Sequence, residues 1–175
     1  MTFYKKGYQI VRNLISEDST FKLYDHLNTR IDGNLQDNQV PETPSFYADE
    51  LMQRIQIELL PKIEEHTGLE LHKTYTYARI YKRGDVLRIH RDRAACEISL
   101  TMNIGGNKWA IWVLDRDENP VKVDLNPGDA LIYRGCEINH WRERFEDDLH
   151  SQVFMHYVDK FGPYAWAKDD TKQEP

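Results

Sequence analysis

The spacing of apolar residues changes character once along the chain, near Leu71. Before that point it is helical. Ser16 reads as an N-cap, because its hydroxyl can accept from the unpaired N–H groups of a first turn, and a helix is expected over 17–27 with Phe21, Leu23, Tyr24 and Leu27 on its apolar side. A second helix is expected over 47–66, where Leu51, Ile55, Leu59 and Ile63 recur every four residues until Thr67-Gly68 stops it. Pro61 lies inside that pattern. Its ring lacks the N–H and crowds the preceding turn, so a kink or a break into two shorter helices is expected there. Residues 7–14 alternate loosely as a first strand, and 32–44, rich in Gly, Asn, Asp, Gln and Pro, read as a loop.

From Leu71 onward the period is two. Tyr75, Tyr77, Arg79 and Tyr81 alternate with Thr74, Thr76, Ala78 and Ile80, a Lys-Arg-Gly-Asp turn follows at 82–85, and 86–91 is extended. Over 97–104, Ile98, Leu100, Met102 and Ile104 take one face, and Glu97, Ser99, Thr101 and Asn103 the other. Further strands are expected at 110–114, 121–125, 130–133 and 152–158, with Asn126-Pro127-Gly128-Asp129 as a tight turn between two of them. Two helices followed by seven or eight short strands is an α+β pattern, and a jelly roll braced on one side by helices satisfies it. Residues 1–70 would support the core and 71–166 would form it, the two together making one structural domain; the polar residues 167–175 read as a flexible tail.

At 175 residues, 40% hydrophobic and 30% charged, the chain can bury one sizeable core. A net charge of −6 argues against nucleic acid as a partner. The local basic run Lys82, Arg83, Arg88, Arg91 and Arg93 reads as a solvated rim or as a place for a polar or anionic substrate. Cys96 and Cys136 form no CxxC pattern, so neither a zinc knuckle nor a disulfide framework is expected, and the N-terminus lacks the apolar core of a signal peptide. No stretch is long and apolar enough for a membrane span. A cytoplasmic setting is the expectation.

The chemistry concentrates in His90-Arg91-Asp92. On a strand, residues i and i+2 point to the same face, so imidazole and carboxylate could bind one metal side by side. A second histidine from a later strand would complete a 2-His-1-carboxylate face, the ligand set of non-haem Fe(II) oxygenases. His140, after the Pro127-Gly128-Asp129 turn and the next strand, is the best candidate. His26, His66 and His72 read as plain surface residues.

Four segments carry a resemblance: 77–92 (YARIYKRGDVLRIHRD), 96–103 (CEISLTMN), 125–140 (LNPGDALIYRGCEINH) and 152–159 (QVFMHYVD). Together they resemble the prolyl-hydroxylase-like branch of the Fe(II)/2-oxoglutarate dioxygenases, over roughly residues 70 to 165. The resemblance implies a double-stranded β-helix (jelly-roll) core braced by N-terminal helices. It implies Fe(II), 2-oxoglutarate and dioxygen as requirements, and hydroxylation of an unactivated C–H bond, with a prolyl or other peptide side chain as the first target and a small molecule or a nucleic acid as others.

The resemblance also implies roles for residues: His90, Asp92 and His140 as metal ligands and catalytic centre, Tyr81 against 2-oxoglutarate, and Thr101 or Ser99 beside it. Relatives hold the distal carboxylate with Arg or Lys about ten residues after the second histidine, where this chain has His150. Arg142 and Arg144 share the parity of His140 and are alternative anchors, and Arg79 is a more distant one. His156 is expected nearer the metal or in the core, and Trp141 at the mouth or in packing. A cupin-like protein without oxygenase activity, or a silent interaction domain, are the rival classes. The former more often begins its metal motif with HxH.

Overall fold

The computed structural model describes residues 2–168 and 170. In chain order they form α1 (Thr2–Lys6), β1 (Tyr8–Val11), α2 (Glu17–Asn28), β2 (Ser45–Tyr47), α3 (Glu50–Thr67), β3 (Leu71–Lys82), β4 (Leu87–His90), β5 (Ile98–Gly106), β6 (Ile111–Leu114), β7 (Pro120–Val123), β8 (Ala130–Arg134), β9 (His140–Arg142) and β10 (Leu149–Asp159). Two antiparallel sheets result, one in the order β1-β8-β5-β10-β3-β2 and the other β4-β9-β6-β7. Strands β3 to β10 wind between the two sheets as a double-stranded β-helix, and β1 and β2 extend the larger sheet at its edges.

The helices form where the sequence places their caps. The Ser16 hydroxyl accepts from Ser19 N at 3.2 Å at the start of α2. Asp49 accepts from Met52 N at the start of α3, and Gly68 ends that helix at φ 72°, a conformation costly for any side chain with a Cβ. Pro61 does not divide α3, which runs unbroken through it. Solvent exposure of Pro61 explains the tolerance: the lost backbone bond falls on the outer side of the helix, while Met52, Leu59 and Ile63 bury the inner side. The main core lies between these helices and the larger sheet, where Leu23, Leu27, Met52 and Ile63 meet Leu100, Met102 and Met155. A second cluster, including Val113, Val123, Leu131 and Tyr133, fills part of the space between the two sheets.

Three elements escape the hydrophobic pattern. Helix α1 and strands β2 and β9 are five, three and three residues long, too short to show a period. The polar face of β5 is not solvent-facing: Ser99, Thr101 and Asn103 are as buried as their apolar neighbours, because that face lines the inside of the β-helix. Of the expected tail, Asp170 is ion-paired to Arg93 at 2.5 Å, and residues 169 and 171–175 lie outside the described residues. Among the described residues no helix is long and apolar enough to cross a membrane.

Candidate metal centre

Strand β4 ends at His90, so Asp92 is not positioned by strand parity. Its backbone N–H instead donates to the Gly135 carbonyl at 2.9 Å, which turns the chain so that the carboxylate faces His90. His140 opens β9 and is the direct register partner of His90. The three side chains each offer a ligand atom, and these atoms all lie within 4.8 Å of one another. Asp92 Oδ1 is 3.6 Å from His90 Nε2 and 3.4 Å from His140 Nε2.

The orientation of both imidazoles is fixed from behind. His90 Nδ1 donates to the Arg88 carbonyl at 2.8 Å and His140 Nδ1 to the Ile138 carbonyl at 2.9 Å. With the proton on Nδ1, each Nε2 keeps its lone pair and points it at the common centre. Asp92 is held likewise: the Ser99 hydroxyl donates to Oδ2 at 2.8 Å, leaving Oδ1 for the centre. Burial pushes the Asp92 carboxyl upward, but His140 and His90 more than offset it and hold the group well below its ordinary range. Burial lowers His90, and the Asp92 carboxylate outweighs it to raise the imidazole above its ordinary value. A preformed anion between two such rings is suited to a divalent cation.

Gly135 and Ser99 emerge here with no motif to announce them as supports. A Cβ on Gly135 would overlap the Cys96 carbonyl and lie 2.5 Å from Asp92 Oδ2 and 2.8 Å from Ser99 Oγ. His156 stands behind Ser99, its Nδ1 2.9 Å from that hydroxyl. A β-bulge puts it there: the register between β10 and β3 shifts at His156, and the buried Gln56 amide takes up the freed His156 and Tyr75 carbonyls at 2.8 and 3.2 Å. Asp92, Cys96 and His156 also lie within ligand range of one another, but that group shares Asp92. Burial moreover holds the Cys96 thiol well above its usual value, so it stays protonated, the form that does not ligate.

The centre opens onto a cleft of about 530 Å³ between the sheets, walled by Tyr75, Tyr77, Arg79, Tyr81, Phe154 and His156. The segment 34–39 roofs it. Arg91 and Arg93, of the basic run, line this cleft; Lys82 and Arg83 turn instead to Asp85 and Asp148.

The expected anchors separate. Tyr81 and Arg142 are 1% exposed, and both the Tyr81 hydroxyl and Arg142 Nε are buried without a hydrogen-bond partner. Burial pulls the Arg142 guanidinium down to about 10, and among the described residues no carboxylate offsets it. Arg144 lies beyond the end of β9, 65% exposed, 3.5 Å from Glu146. His150 is buried with both ring nitrogens engaged, Nδ1 2.8 Å from the Asn107 carbonyl and Nε2 2.7 Å from Gln152 Oε1. Thr101 is bonded to the Gln152 amide at 2.6 Å, so it meets the interior through Gln152. Trp141 stacks on Trp112 with ring centroids 5.9 Å apart. His26 and His66 are bonded within the fold, at 2.9 Å to Asp49 and 3.0 Å to Gln9.

This is the fold of the Fe(II)/2-oxoglutarate oxygenases, prolyl hydroxylases among them. A Pseudomonas putida prolyl-4-hydroxylase superposes with a TM-score of 0.71 at 14% identity, over 89% of this chain and 94% of that one. HygX from Streptomyces hygroscopicus, solved with nickel and 2-oxoglutarate, superposes with a TM-score of 0.74 at 13% identity, over 91% and 85%. A prolyl hydroxylase from Trichoplax adhaerens, solved with a peptide fragment of a hypoxia-inducible factor, gives 0.70 at 15%, over 91% and 86%. No protein-family model and no curated protein matches the sequence.

Proposed function

We propose that this chain is an Fe(II)- and 2-oxoglutarate-dependent oxygenase that hydroxylates an unactivated C–H bond. The observation that carries the reading is the convergence of His90 Nε2, Asp92 Oδ1 and His140 Nε2 on one point, with each group fixed from behind. Two imidazoles and one carboxylate fit Fe(II) and leave positions open for co-substrate and dioxygen. Iron and 2-oxoglutarate, when bound, supply the oxidising power, with succinate and carbon dioxide as by-products.

The chain's own residues bind and orient. Arg142 and Tyr81 fit the distal carboxylate of 2-oxoglutarate, because both hold buried polar groups that lack a partner, and a carboxylate would satisfy both and neutralise the guanidinium. Phe154 and the tyrosine walls exclude water, and Ser99 holds Asp92 so that one oxygen alone faces the centre. Thr101 and His150 meet at Gln152, which is bonded to both, and the His150 ring lies 6.2 Å from that of Tyr81.

The target is a prolyl or other peptide side chain, or a small molecule. Segment 34–39, which lines the cleft above the centre, would be met by either kind of target. The test is release of succinate from 2-oxoglutarate by Fe(II)-loaded protein, which proceeds slowly even without the prime substrate. Turnover in wild type and none in Asp92→Ala is expected; turnover that survives Asp92→Ala would sink the assignment.

A further inference from the structure

The roof of the cleft is held down by side chains that have other work available. Segment 35–42 is a closed loop: the Glu42 N–H donates to the Leu35 carbonyl at 2.9 Å, and Asn34 and Ser45 bridge just outside it. Its tip reaches the barrel through three residues. Asp37 Oδ2 lies 2.8 Å from an Arg79 terminal nitrogen and 2.5 Å from the Tyr77 hydroxyl. The Gln39 amide lies 3.1 Å from His90 Nε2 and 3.4 Å from Arg79. Val40 packs on Tyr81 and Leu87.

Two features show that this closure is provisional. His90 Nδ1 donates to Arg88, so Nε2 can only accept from Gln39, and a metal ion needs the same lone pair. Gln39 and a metal therefore compete, and loading the centre loosens the tip. Arg79 is 1% exposed in the wall of the cleft, yet Asp37 meets it end-on through one nitrogen. Its Nε stays buried without a partner. A guanidinium in a strand prefers a carboxylate that takes two of its nitrogens. Asp37 is moreover committed elsewhere: its Oδ1 accepts from the backbone N–H groups of Gln39 and Val40, so the loop can keep its own turn when lifted.

We propose that Asp37 holds the place of a carboxylate on the prime substrate, and that Arg79 with Tyr77 is the pair that recognises it once the loop lifts. This inference rests on the oxygenase reading only in naming that ligand a substrate. It assigns the part of the cleft beside Tyr81, whose ring lies 5.6 Å from the Arg79 guanidinium, to a carboxylate-bearing molecule other than 2-oxoglutarate.

Benzoate is a suitable probe, since Tyr75, Tyr77 and Phe154 can flank its ring and it chelates metals poorly; benzamide is its uncharged counterpart. Binding is measured by calorimetry on zinc-loaded protein, with and without saturating N-oxalylglycine, an inert analogue of 2-oxoglutarate. Asp37→Asn removes the internal competitor and is expected to tighten benzoate about tenfold. Benzamide is expected not to change. Adding Arg79→Gln should abolish the gain. Adding the milder Tyr77→Phe, which deletes one hydroxyl, should reduce it about threefold, the worth of one hydrogen bond.

Benzoate affinity indifferent to Asp37→Asn, or an equal gain for benzamide, would overturn the proposal. So would exclusion of benzoate by N-oxalylglycine, which would make Arg79 part of the co-substrate's own place. Failure of N-oxalylglycine to bind at all would strike the oxygenase reading instead, and benzoate would still decide the role of Asp37.

Discussion

His90 and His140 face each other as register partners on β4 and β9, with ring centroids 4.2 Å apart. Each ring is steered by a backbone carbonyl two residues earlier in its own segment, Arg88 for one and Ile138 for the other. The centre is thus assembled by two equivalent local devices on neighbouring strands, with Asp92 entering from the loop between β4 and β5.

Substituting His90→Ala or Asp92→Ala should therefore remove metal binding without unfolding the chain. Neither side chain belongs to an apolar cluster, so the far-ultraviolet circular dichroism should be unchanged. Because loss of a mere supporting residue weakens metal sites about 10–100-fold, loss of a ligand should cost at least about 100-fold. Titration with Mn(II), followed by its paramagnetic resonance, measures this; wild-type affinity in either variant would refute the site.

Gly135 should behave as part of the centre although it offers no ligand. A methyl group there collides with the Cys96 carbonyl and crowds Asp92 Oδ2 and Ser99 Oγ, all of them fixed. Gly135→Ala is expected to weaken Mn(II) about 10–100-fold, as does disturbance of a ligand's support elsewhere. Ser99→Ala removes the bond to Oδ2 without a clash and should fall at the lower end of that range. Equal affinity in Gly135→Ala and wild type would mean that Asp92 is free to move.

Much of this was legible in the sequence. The change of period at Leu71 separates helices from barrel because period two and period 3.6 are properties of the local chain, and the caps at Ser16 and Gly68 are local as well. His90, Asp92 and His140 stand out because few residue types bind transition metals. The supports were not legible, for a different reason in each case. Gly135 acts through an absent side chain, and its meaning depends on Asp92, 43 positions earlier. Ser99 looks outward in an alternating strand until the second sheet closes over it. Asp37 and Gln39 lie in a segment without periodicity, and only the folded chain brings them to Arg79 and His90. Arg142 and His150 share a plausible spacing from His140, so burial and partners, which spacing does not encode, have to distinguish them.

Pro61 gives a test of stability away from the site. It is exposed within a continuous helix, where it forgoes one backbone bond and strains the turn before it. Pro61→Ala restores the bond but frees the unfolded chain, and the net expectation is a gain of about 1–2 kcal/mol. A higher midpoint in urea with an unchanged slope is the expected result. A loss of stability would mean that α3 depends on the proline's geometry.

His150 predicts an acid limb. Burial lowers the ring first, and Arg142 lowers it further, to about 4, against about 6.5 in an unfolded chain. The folded state thus favours the neutral ring. The stabilisation is complete above about pH 6.5 and is lost as pH falls toward 4, because the unfolded chain takes up the proton first. Wild type should lose up to about 1.4 kcal/mol per pH unit more than His150→Gln across that interval. Parallel pH profiles for the two proteins would show that His150 is not held neutral.

On the proposed reading, His150 and Arg142 are the two candidates for anchoring 2-oxoglutarate. A histidine anchor would bind the dicarboxylate best when protonated, so affinity would fall as pH rises past its titration. A ring pulled down to about 4 is already neutral at pH 6, and both its nitrogens are engaged by Asn107 and Gln152. Arg142, though lowered to about 10, remains cationic through the neutral range. The dissociation constant of 2-oxoglutarate on zinc-loaded protein should therefore be flat in its dependence on the anchor from about pH 6 to 8.5.

Arg142→Met should separate binding from stability. It removes a buried cation that no carboxylate among the described residues neutralises, together with a bond to the Trp109 carbonyl and a stack on that ring. These losses oppose each other, so the unliganded protein should change by less than about 1 kcal/mol. Binding of 2-oxoglutarate should nevertheless weaken at least about 30-fold, since a charge-assisted bond to a buried carboxylate is lost. Affinity that survives Arg142→Met but falls steeply between pH 6 and 8.5 would return the role to histidine, and His150→Arg would then tighten binding and flatten the profile.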